Sequence, residues 1–328
     1  MPSPTRTYRG TPRNLARLAR RLRAGELVAV PTETVYGLAA NALDATACRR
    51  IYQAKGRPSR DPLIVHIHSI EQLGTVAVPN EAALRLARRF WPGPLTLILP
   101  KRPTVPDVVS AGLPSVAVRM PSHPVFRRLL RLAGVPLAAP SANPFGYVSP
   151  TSAAHVAAGL GGRIPSILDG GPSRIGLEST IIDIRRPRSP RLLRPGAITQ
   201  AQLERALGVK VRVSRKKVAA TAAQLAPGQL ARHYSPHTPV SLHATLSAAA
   251  PYQAPREAWV YLARPKGRVG RNVFWLDAKG RLDGVARQLF HMLRTLDARR
   301  FERIHIELAP GSGLADAIND RLRRAAAR

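Results

Sequence analysis

The stretch LVAVPTETVYGLAAN, residues 27–41, combines a strand pattern with a polar loop. Leu27–Val30 predicts a short buried strand, and Pro31–Gly37 predicts the polar loop that follows it. Because an open α/β sheet usually presents its ligand crevice where its strands end, this loop is a candidate binding loop. A cluster of turn or helix-cap residues is the other interpretation of the same stretch.

Helical and strand patterns alternate outward from this stretch. A first helix starts at Thr11-Pro12 and stops at Gly25, and a second runs from Asp44 to Lys55-Gly56. The alternation predicts an α/β fold. Further strands are predicted at Leu63–Ile67, Leu95–Leu99, Ser115–Met120, Pro136–Ala139, Ile164–Leu168, Thr180–Ile184 and Leu192–Arg194, and further helices at Glu81–Phe90, Pro124–Leu132, Ser152–Leu160 and Gln200–Leu207.

The texture of the sequence changes near residue 209. Residues 209–238 contain the basic run Arg215–Lys217 and Ala-, Gln-, Pro- and Gly-rich sequence, which predicts a linker. Strand and helix patterns then resume, so we expect a first domain at 1–208 and a small second α/β domain at 239–328. The second domain is predicted to contain strands at Trp259–Leu262, Val273–Leu276 and Ile304–Leu308 and helices at Asp283–Leu296 and Leu314–Ala325.

The chain is strongly basic: 51 Lys and Arg stand against 19 Asp and Glu among 328 residues, a net charge of +32. This charge favours polyanionic partners such as RNA, although a biased genome composition also explains surface arginine. Cys48 is the single cysteine, which excludes an intrachain disulfide and fits a reducing, cytoplasmic compartment. No run reaches about 18 apolar residues, so the sequence predicts no membrane-spanning helix.

Lys55 and Arg57, separated by one glycine, are the candidate phosphate-binding cations. Lysine acts as a point charge and arginine as a bidentate fork, so the two can hold a polyphosphate from adjacent angles. Alternatively, cations at a helix C-terminus simply complement the helix dipole. His66, at the end of a predicted strand, is by itself more typical of a packed core histidine than of a ligand, and no metal-ligand spacing surrounds it.

Arg119 ends a predicted strand in which Val116 and Val118 share one face. Arg119 therefore points to the other face, where it suits a carboxylate inside a cleft, or alternatively lies on a solvated sheet face. Small polar loops at 139–144 and 176–180 would let backbone N–H groups approach a phosphate closely. The chain lacks the glycine patterns of a phosphate-binding loop and of a serine-hydrolase elbow, which argues against both classes.

Taken together and in order, these segments resemble the threonylcarbamoyl-AMP synthase family in its two-domain form, with a YrdC-like N-terminal domain. The resemblance implies a twisted mixed sheet with helices, followed by a small C-terminal Rossmann-like α/β domain. It rests on Pro31–Leu38, Lys55–Pro58, Pro62–His66, Trp91–Thr96, Val118–Pro121, Pro140–Asn143, Glu178–Thr180, Arg194–Gly196, Pro227-Gly228, His233–Pro236 and Ala315–Leu322.

The resemblance implies a nucleotidyltransferase that condenses L-threonine, bicarbonate and ATP to threonylcarbamoyl-adenylate and pyrophosphate. The product would pass to a tRNA threonylcarbamoyl transferase complex for the t6A modification at position 37 of tRNAs that read codons beginning with A. The family pattern implies L-threonine binding by Thr34, His66, Arg119, Ala139 and Ser179. It implies ATP binding by Arg57, Asp61, Ser115, Ser141, Ser149, Arg194 and Tyr234, catalysis by Lys55 and Arg57, Mg²⁺ on the triphosphate, and no metal bound by the protein itself.

Asp61 and Tyr234 carry two further expectations. Asp61 stands where the family usually has asparagine, which places an anion near the ATP phosphates that Arg60 or Mg²⁺ would offset. Tyr234, in the linker, is predicted to close over the site as a lid.

Two other functions fit parts of the sequence. A non-catalytic tRNA or double-stranded RNA-binding factor of the YrdC-like class fits the charge, but an aromatic content of 5% is low for base stacking. A carbamoyltransferase of the hydrogenase-maturation type would need zinc fingers, which one cysteine cannot build.

Overall fold

The structure is a computed structural model and describes residues 4–214, 223–228, 233–247 and 250–327. The strands are β1 Arg6–Arg9, β2 Val28–Val30, β3 Gly37–Asn41, β4 Ile64–His66, β5 Leu95–Pro100, β6 Ser115–Arg119, β7 Leu137–Ala138, β8 Ser166–Asp169, β9 Thr180–Asp183, β10 Arg191–Arg194, β11 Arg212–Val213, β12 Val240–His243, β13 Ala258–Ala263, β14 Val273–Asp277 and β15 Ile304–Glu307. The helices are α1 Pro12–Arg23, α2 Ala45–Lys55, α3 Leu73–Val76, α4 Glu81–Phe90, α5 Asp107–Ser110, α6 Pro124–Ala133, α7 Ala153–Leu160, α8 Gln200–Leu207, α9 Ala250–Gln253, α10 Leu282–Ala298 and α11 Leu314–Ala326.

One large mixed sheet dominates the first part of the chain. Within residues 4–214, eleven strands join in the order β1-β8-β2-β3-β7-β4-β6-β5-β9-β10-β11. Parallel pairs such as β4 with β6 alternate with antiparallel pairs such as β5 with β6. The predicted mixed α/β sheet is therefore confirmed.

Residues 27–41 form a hairpin. β2 and β3 pair antiparallel, with Val28 opposite Ala39 and Val30 opposite Gly37, so residues 31–36 form the connection. No strand was predicted at β3, because Gly37–Asn41 is rich in Gly and Ala and lacks β-branched residues. Burial on both faces replaces the alternating pattern by which a half-buried strand is recognised.

Alternate residues of the hairpin enter different hydrophobic cores. Ala29 and Leu38 belong to the cluster that contains α2, α4 and α8, and Val30 and Ala39 belong to the cluster of α1 and α6. The sheet is thus covered on both faces at this end. Helix α1 is fixed at its start by Thr11, whose side chain accepts a hydrogen bond from the N–H of Asn14.

The linker covers part of the second face of the sheet farther along. Ala226 is fully buried against Ile64 of β4, Ile98 of β5 and Ile181 of β9. Helices α1 and α6 cover the neighbouring strands of the same sheet. Residues 223–228 continue the covering layer that these helices begin. The basic run at residues 215–217 lies outside the described residues.

A second, smaller sheet confirms the predicted C-terminal α/β domain. Within residues 233–247 and 250–327, four parallel strands join in the order β12-β15-β13-β14. Helices α10 and α11 pack on them through a core that includes Leu289, Phe290 and Ile318. Strand β12 was not predicted from the sequence. Across the described residues, no helix combines the length and apolar character needed to cross a bilayer.

The second sheet and its helices dock directly on the first part of the chain. Asp297 of α10 accepts hydrogen bonds from the Tyr147 hydroxyl and the Thr238 N–H, both at 2.8 Å. Gly176 has a φ of 80°, and a Cβ atom placed on it would lie 2.5 Å from the Cα of Arg287 in α10. Glycine at this position therefore permits the close approach of the two parts.

We expect Gly176→Ala to weaken this docking far more than Gly112→Ala, its matched control. Gly112 has a similar φ of 76°, but a Cβ atom there meets nothing within 4 Å. The control should lower the free energy of unfolding by about 1–2 kcal/mol through backbone strain alone. Gly176→Ala should cost roughly 2 kcal/mol more, because the backbone of α10 must move. Urea unfolding measures both, and equal losses would contradict the expectation.

Candidate active site

A cavity lies where the β2–β3 hairpin loop, the end of β6, the loop after β7 and residues 227–234 of the chain meet. Its wall contains nine of the residues predicted from the sequence to bind substrate. These are Thr34, Arg57, His66, Arg119, Ala139, Ser141, Ser179, Arg194 and Tyr234. Residues that are up to 200 positions apart in the chain thus share one wall.

Four predicted site residues are buried but do not line this cavity: Lys55, Asp61, Ser115 and Ser149. The Lys55 ammonium group donates hydrogen bonds to the backbone carbonyl oxygens of Ser141, at 2.6 Å, and Asn143. Burial, together with the charge of Arg57, lowers the pKa of Lys55 well below its usual value. In this structure Lys55 therefore holds the loop at 141–143.

Arg57 is held by the segment that follows it. Its guanidinium lies 3.0 Å from the Asp61 carboxylate and donates to the backbone oxygens of Asp61, at 3.1 Å, and Pro62, at 2.7 Å. Burial raises the pKa of Asp61, although Arg57, Lys55 and Arg194 act in the opposite direction. Asp61, the anion that the sequence places near the ATP phosphates, is thus paired with the Arg57 cation.

Arg119 is the centre of a second buried ion pair. Its Nη2 atom lies 2.7 Å from Oε1 of Glu33, and its Nη1 atom donates a hydrogen bond to the Thr34 hydroxyl at 2.9 Å. Its Nε atom donates to the backbone oxygen of Gly93 at 3.2 Å. Burial alone would raise the pKa of Glu33, but the charge of Arg119 and the hydrogen bonds from Arg119 and the backbone together lower it.

His66 lines the cavity as a neutral side chain. Burial lowers its pKa to about 3, and the positive charge of Arg119 contributes. Its Nδ1 atom lies 3.2 Å from the backbone oxygen of Ile64, and its ring packs 5.6 Å from the ring of Phe126. His66 is thus both a packed core histidine and a wall residue.

Arg194 and Ser179 form the wall beside the linker. Arg194 donates through Nε to the backbone oxygen of Ser179, at 3.0 Å, and through Nη2 to its hydroxyl, at 3.1 Å. The Ser179 hydroxyl lies 2.7 Å from that of Thr96. Arg194 also donates to the backbone oxygen of Pro227 at 3.3 Å, which connects the sheet to the linker.

Two neighbouring aromatic side chains, His233 and Tyr234, line the cavity. Tyr234 is 1% exposed, has a φ of 62°, and stacks on Phe290 of α10 at 5.5 Å. A Cβ atom on Gly228 would lie 2.6 Å from the Tyr234 hydroxyl, so the two linker segments touch. Burial, with the charges of Arg57 and Lys55, lowers the pKa of His233 well below its usual value. The side chain therefore stays neutral.

Two polar atoms on the cavity wall have no hydrogen-bond partner: Nδ1 of His233 and the hydroxyl of Tyr234. The carboxylates of Glu33 and Asp61 lie behind the wall and are ion-paired with Arg119 and Arg57. Three guanidinium groups and several hydroxyl groups on one wall suit a polar, charged ligand.

Sequence reasoning did not assign three of the residues that build this site: Glu33, Glu178 and His233. Glu178 and His233 line the cavity, and Glu33 pairs with Arg119. Each lies beside a residue that was assigned, so its position in the motif was the available signal. Among the described residues, no group of three or more His, Cys, Asp or Glu side chains could hold a metal ion.

We expect His66→Asn to flatten the acid side of the stability curve. Unfolded histidine has a pKa near 6.5 and folded His66 near 3, so between these pH values the unfolded chain binds an extra proton. The stabilising effect of neutral His66 is complete above about pH 6.5 and falls by up to about 1.4 kcal/mol per pH unit below it. Urea unfolding from pH 4 to 7 measures this, and parallel curves for variant and wild type would contradict it.

Two family models together match almost the whole chain. The model described as Telomere recombination, named for Sua5, YciO and YrdC, matches residues 20–196. The model described as Threonylcarbamoyl-AMP synthase, C-terminal domain, matches residues 198–327.

Relatives and solved structures agree with these models. The threonylcarbamoyl-AMP synthase of Pyrococcus abyssi is 41% identical over 93% of this chain and 91% of its own length, and that of Bacillus subtilis is 42% identical over 95% and 92%. The crystal structure of P. abyssi Sua5 complexed with L-threonine has a TM-score of 0.89 and 40% identity, covering 98% of this chain and 97% of that chain. E. coli YciO, with a TM-score of 0.52 and 22% identity over 59% of this chain and 96% of its own, shares the fold of the first part. The chain therefore belongs to the threonylcarbamoyl-AMP synthase family, in its two-domain form.

Proposed function

We propose that this chain is an L-threonylcarbamoyladenylate synthase, which condenses L-threonine, bicarbonate and ATP to L-threonylcarbamoyladenylate and pyrophosphate. The observation that carries the proposal is that three buried arginines, from three separate elements, line one cavity. Arg57 follows α2, Arg119 ends β6 and Arg194 ends β10, and each is at most 6% exposed. Such a cavity suits a ligand set that combines a carboxylate with phosphates.

Arg119 and its neighbours would bind threonine. Its guanidinium is fixed by Glu33, Thr34 and the backbone oxygen of Gly93 and lies on the cavity wall, where a substrate carboxylate would share it with Glu33. The Thr34 and Ser179 hydroxyls on the same wall would meet the threonine hydroxyl, which distinguishes threonine from amino acids that lack it. A structure of P. abyssi Sua5 contains L-threonine, which supports a threonine site in this fold.

Arg57 and Arg194 would bind the nucleotide phosphates. Both guanidinium groups are fixed by backbone oxygens, so they need little reorganisation when charge develops on the phosphates. Lys55 is bound to carbonyl oxygens in this structure, and a direct phosphate contact would require it to leave them. We therefore propose Arg57 as the direct cation and Lys55 as the residue that holds the loop at 141–143.

The reaction proceeds in two bond-forming steps. The neutral threonine amine attacks the carbon of bicarbonate, a C–O bond of bicarbonate breaks and water leaves with the amine proton, which gives a carbamate; attack on CO₂ gives the same carbamate and releases a proton. A carbamate oxygen then bonds to the α-phosphorus of ATP while the bond from that phosphorus to the bridging oxygen breaks, and pyrophosphate leaves with the electron pair. Positioning and electrostatic stabilisation of the phosphate oxygens would supply most of the rate enhancement.

Mg²⁺ would enter with ATP and neutralise charge on the triphosphate. Asp61 lies behind Arg57 and not on the cavity wall, so its carboxylate would orient Arg57 toward the phosphates.

The same proposal covers the fate of the adenylate product. The adenylate would pass to a tRNA threonylcarbamoyl transferase complex in the cytoplasm, and the net charge of +32 would favour contact with tRNA.

We also propose that residues 209–238 act as a linker between a catalytic domain at 1–208 and a domain at 239–328, with Tyr234 as part of a lid. Contacts of residues 223–228 with the first part, and of residues 233–238 with both parts, support this division.

Pyrophosphate release tests the reaction. Purified protein with ATP, Mg²⁺ and bicarbonate should release pyrophosphate with L-threonine, much less with L-serine and none without an amino acid, and mass spectrometry should identify the adenylate. Release that does not depend on threonine and bicarbonate would contradict the proposal. No release combined with tight, salt-sensitive tRNA binding would instead favour a non-catalytic RNA-binding factor.

Two lysine substitutions separate the assigned binding roles. Arg119→Lys keeps a charge beside Glu33 but loses the bidentate geometry, so we expect the KM for threonine to rise by about tenfold or more and the KM for ATP by less than about threefold. Arg194→Lys should show the opposite pattern. Steady-state kinetics with each substrate varied provides both values, and equal effects on the two substrates would refute the separation of roles.

A further inference from the structure

The second domain places a charged side chain against the wall of the active-site cavity. Arg321 of α11 is 0% exposed, and its Nε atom donates a hydrogen bond to Oε2 of Glu178 at 2.8 Å. Glu178 lines the cavity beside Ser179. Arg321, a residue of the C-terminal domain, therefore contacts a side chain that lines the cavity.

Glu178 connects Arg321 to a residue predicted to bind ATP. Its second carboxylate oxygen accepts a hydrogen bond from the Ser149 hydroxyl at 2.5 Å. Arg321 also donates to the backbone oxygen of Pro195 at 3.0 Å, next to Arg194. Its guanidinium lies 5.4 Å from the ring centre of Tyr234. Arg321 therefore contacts Glu178, the backbone next to Arg194 and the ring of Tyr234.

The contact between Arg321 and Glu178 also changes the charge of the cavity wall. An unpaired carboxylate on the wall of a cavity that receives a triphosphate would repel the phosphates, and its buried position would strengthen the repulsion. Arg321 offsets that charge at 2.8 Å. Its Nη1 atom also donates to Asp320, which is paired with Arg324 as well, so the two arginines balance the two carboxylates. Without Arg321, the carboxylate would keep its hydrogen bond from the Ser149 hydroxyl but would lose its ion-pair partner at 2.8 Å.

We propose that Arg321 is a positioning residue for ATP, supplied by the second domain: it neutralises Glu178, and through Glu178 it holds Ser149 at the nucleotide region. The inference rests on the proposed function for the identity of the ligand. It assigns the C-terminal domain a part in nucleotide binding, whereas a domain that only docks would not need a buried arginine on a cavity carboxylate.

The test measures dissociation constants for ATP and for threonine by calorimetry, independently of turnover. Arg321→Met keeps side-chain length but removes the charge, and we expect the Kd for ATP to rise by about tenfold or more while that for threonine changes by less than about threefold. Adding Glu178→Gln to that variant removes the unpaired anion, and the Kd for ATP should return to within about threefold of the wild-type value.

Asp297→Asn is the matched control, because Asp297 of α10 also bridges the two parts through Tyr147 and Thr238 without contacting the cavity wall. We expect it to lower the unfolding temperature and to change the Kd for ATP by less than about twofold. If Arg321→Met weakens ATP and threonine binding equally, or if Glu178→Gln brings no recovery, Arg321 only docks the domains and the proposal is wrong.

A third variant keeps the proposal testable if Arg321→Met does not fold. Glu178→Gln alone leaves Arg321 in place and removes an anion, so the Kd for ATP should stay level or fall. A rise above about threefold would overturn the proposal, because Glu178 would then serve ATP directly. Failure of the synthase function is read separately, as wild-type protein that binds ATP but releases no pyrophosphate.

Discussion

The buried ion pair between Arg119 and Glu33 is the interaction on which the site depends. Its 2.7 Å contact, with the hydrogen bond from Arg119 to Thr34, connects the β2–β3 hairpin loop to the end of β6. Breaking one side of such a pair leaves an uncompensated charge, which typically costs about 3–5 kcal/mol. The pair therefore holds the loop in place, and it does so at the wall where a substrate carboxylate would bind.

The same principle of paired charge extends around the cavity. Arg57 pairs with Asp61, Arg321 pairs with Glu178, and Arg194 is held by backbone oxygens. A cavity lined by three unpaired arginines would be costly to bury, so the protein places carboxylates behind two of the cations. Binding of an anionic ligand then redistributes partners among groups that are already fixed in position.

Sequence patterns located most regular elements because those elements have local signals. The helix that runs from Ala45 to Lys55 has Asp44 as its N-cap and Gly56, with a left-handed φ, as its C-cap, and both are readable in the sequence. Strand β3 has no such signal, because Gly-Leu-Ala-Ala-Asn becomes a strand only through pairing with β2 on one side and β7 on the other.

The motifs in the sequence determined which residues carry chemistry: nine predicted site residues line one cavity. Sequence also determined the fold class, because periodicity and caps are local properties. Only the tertiary structure decided how each charge is paired. The partners are distant in sequence: Arg119 meets Glu33, Arg321 meets Glu178, and Lys55 meets the loop at 141–143. Pairing depends on distances of a few ångströms between separate elements, and no spacing along the chain encodes those distances.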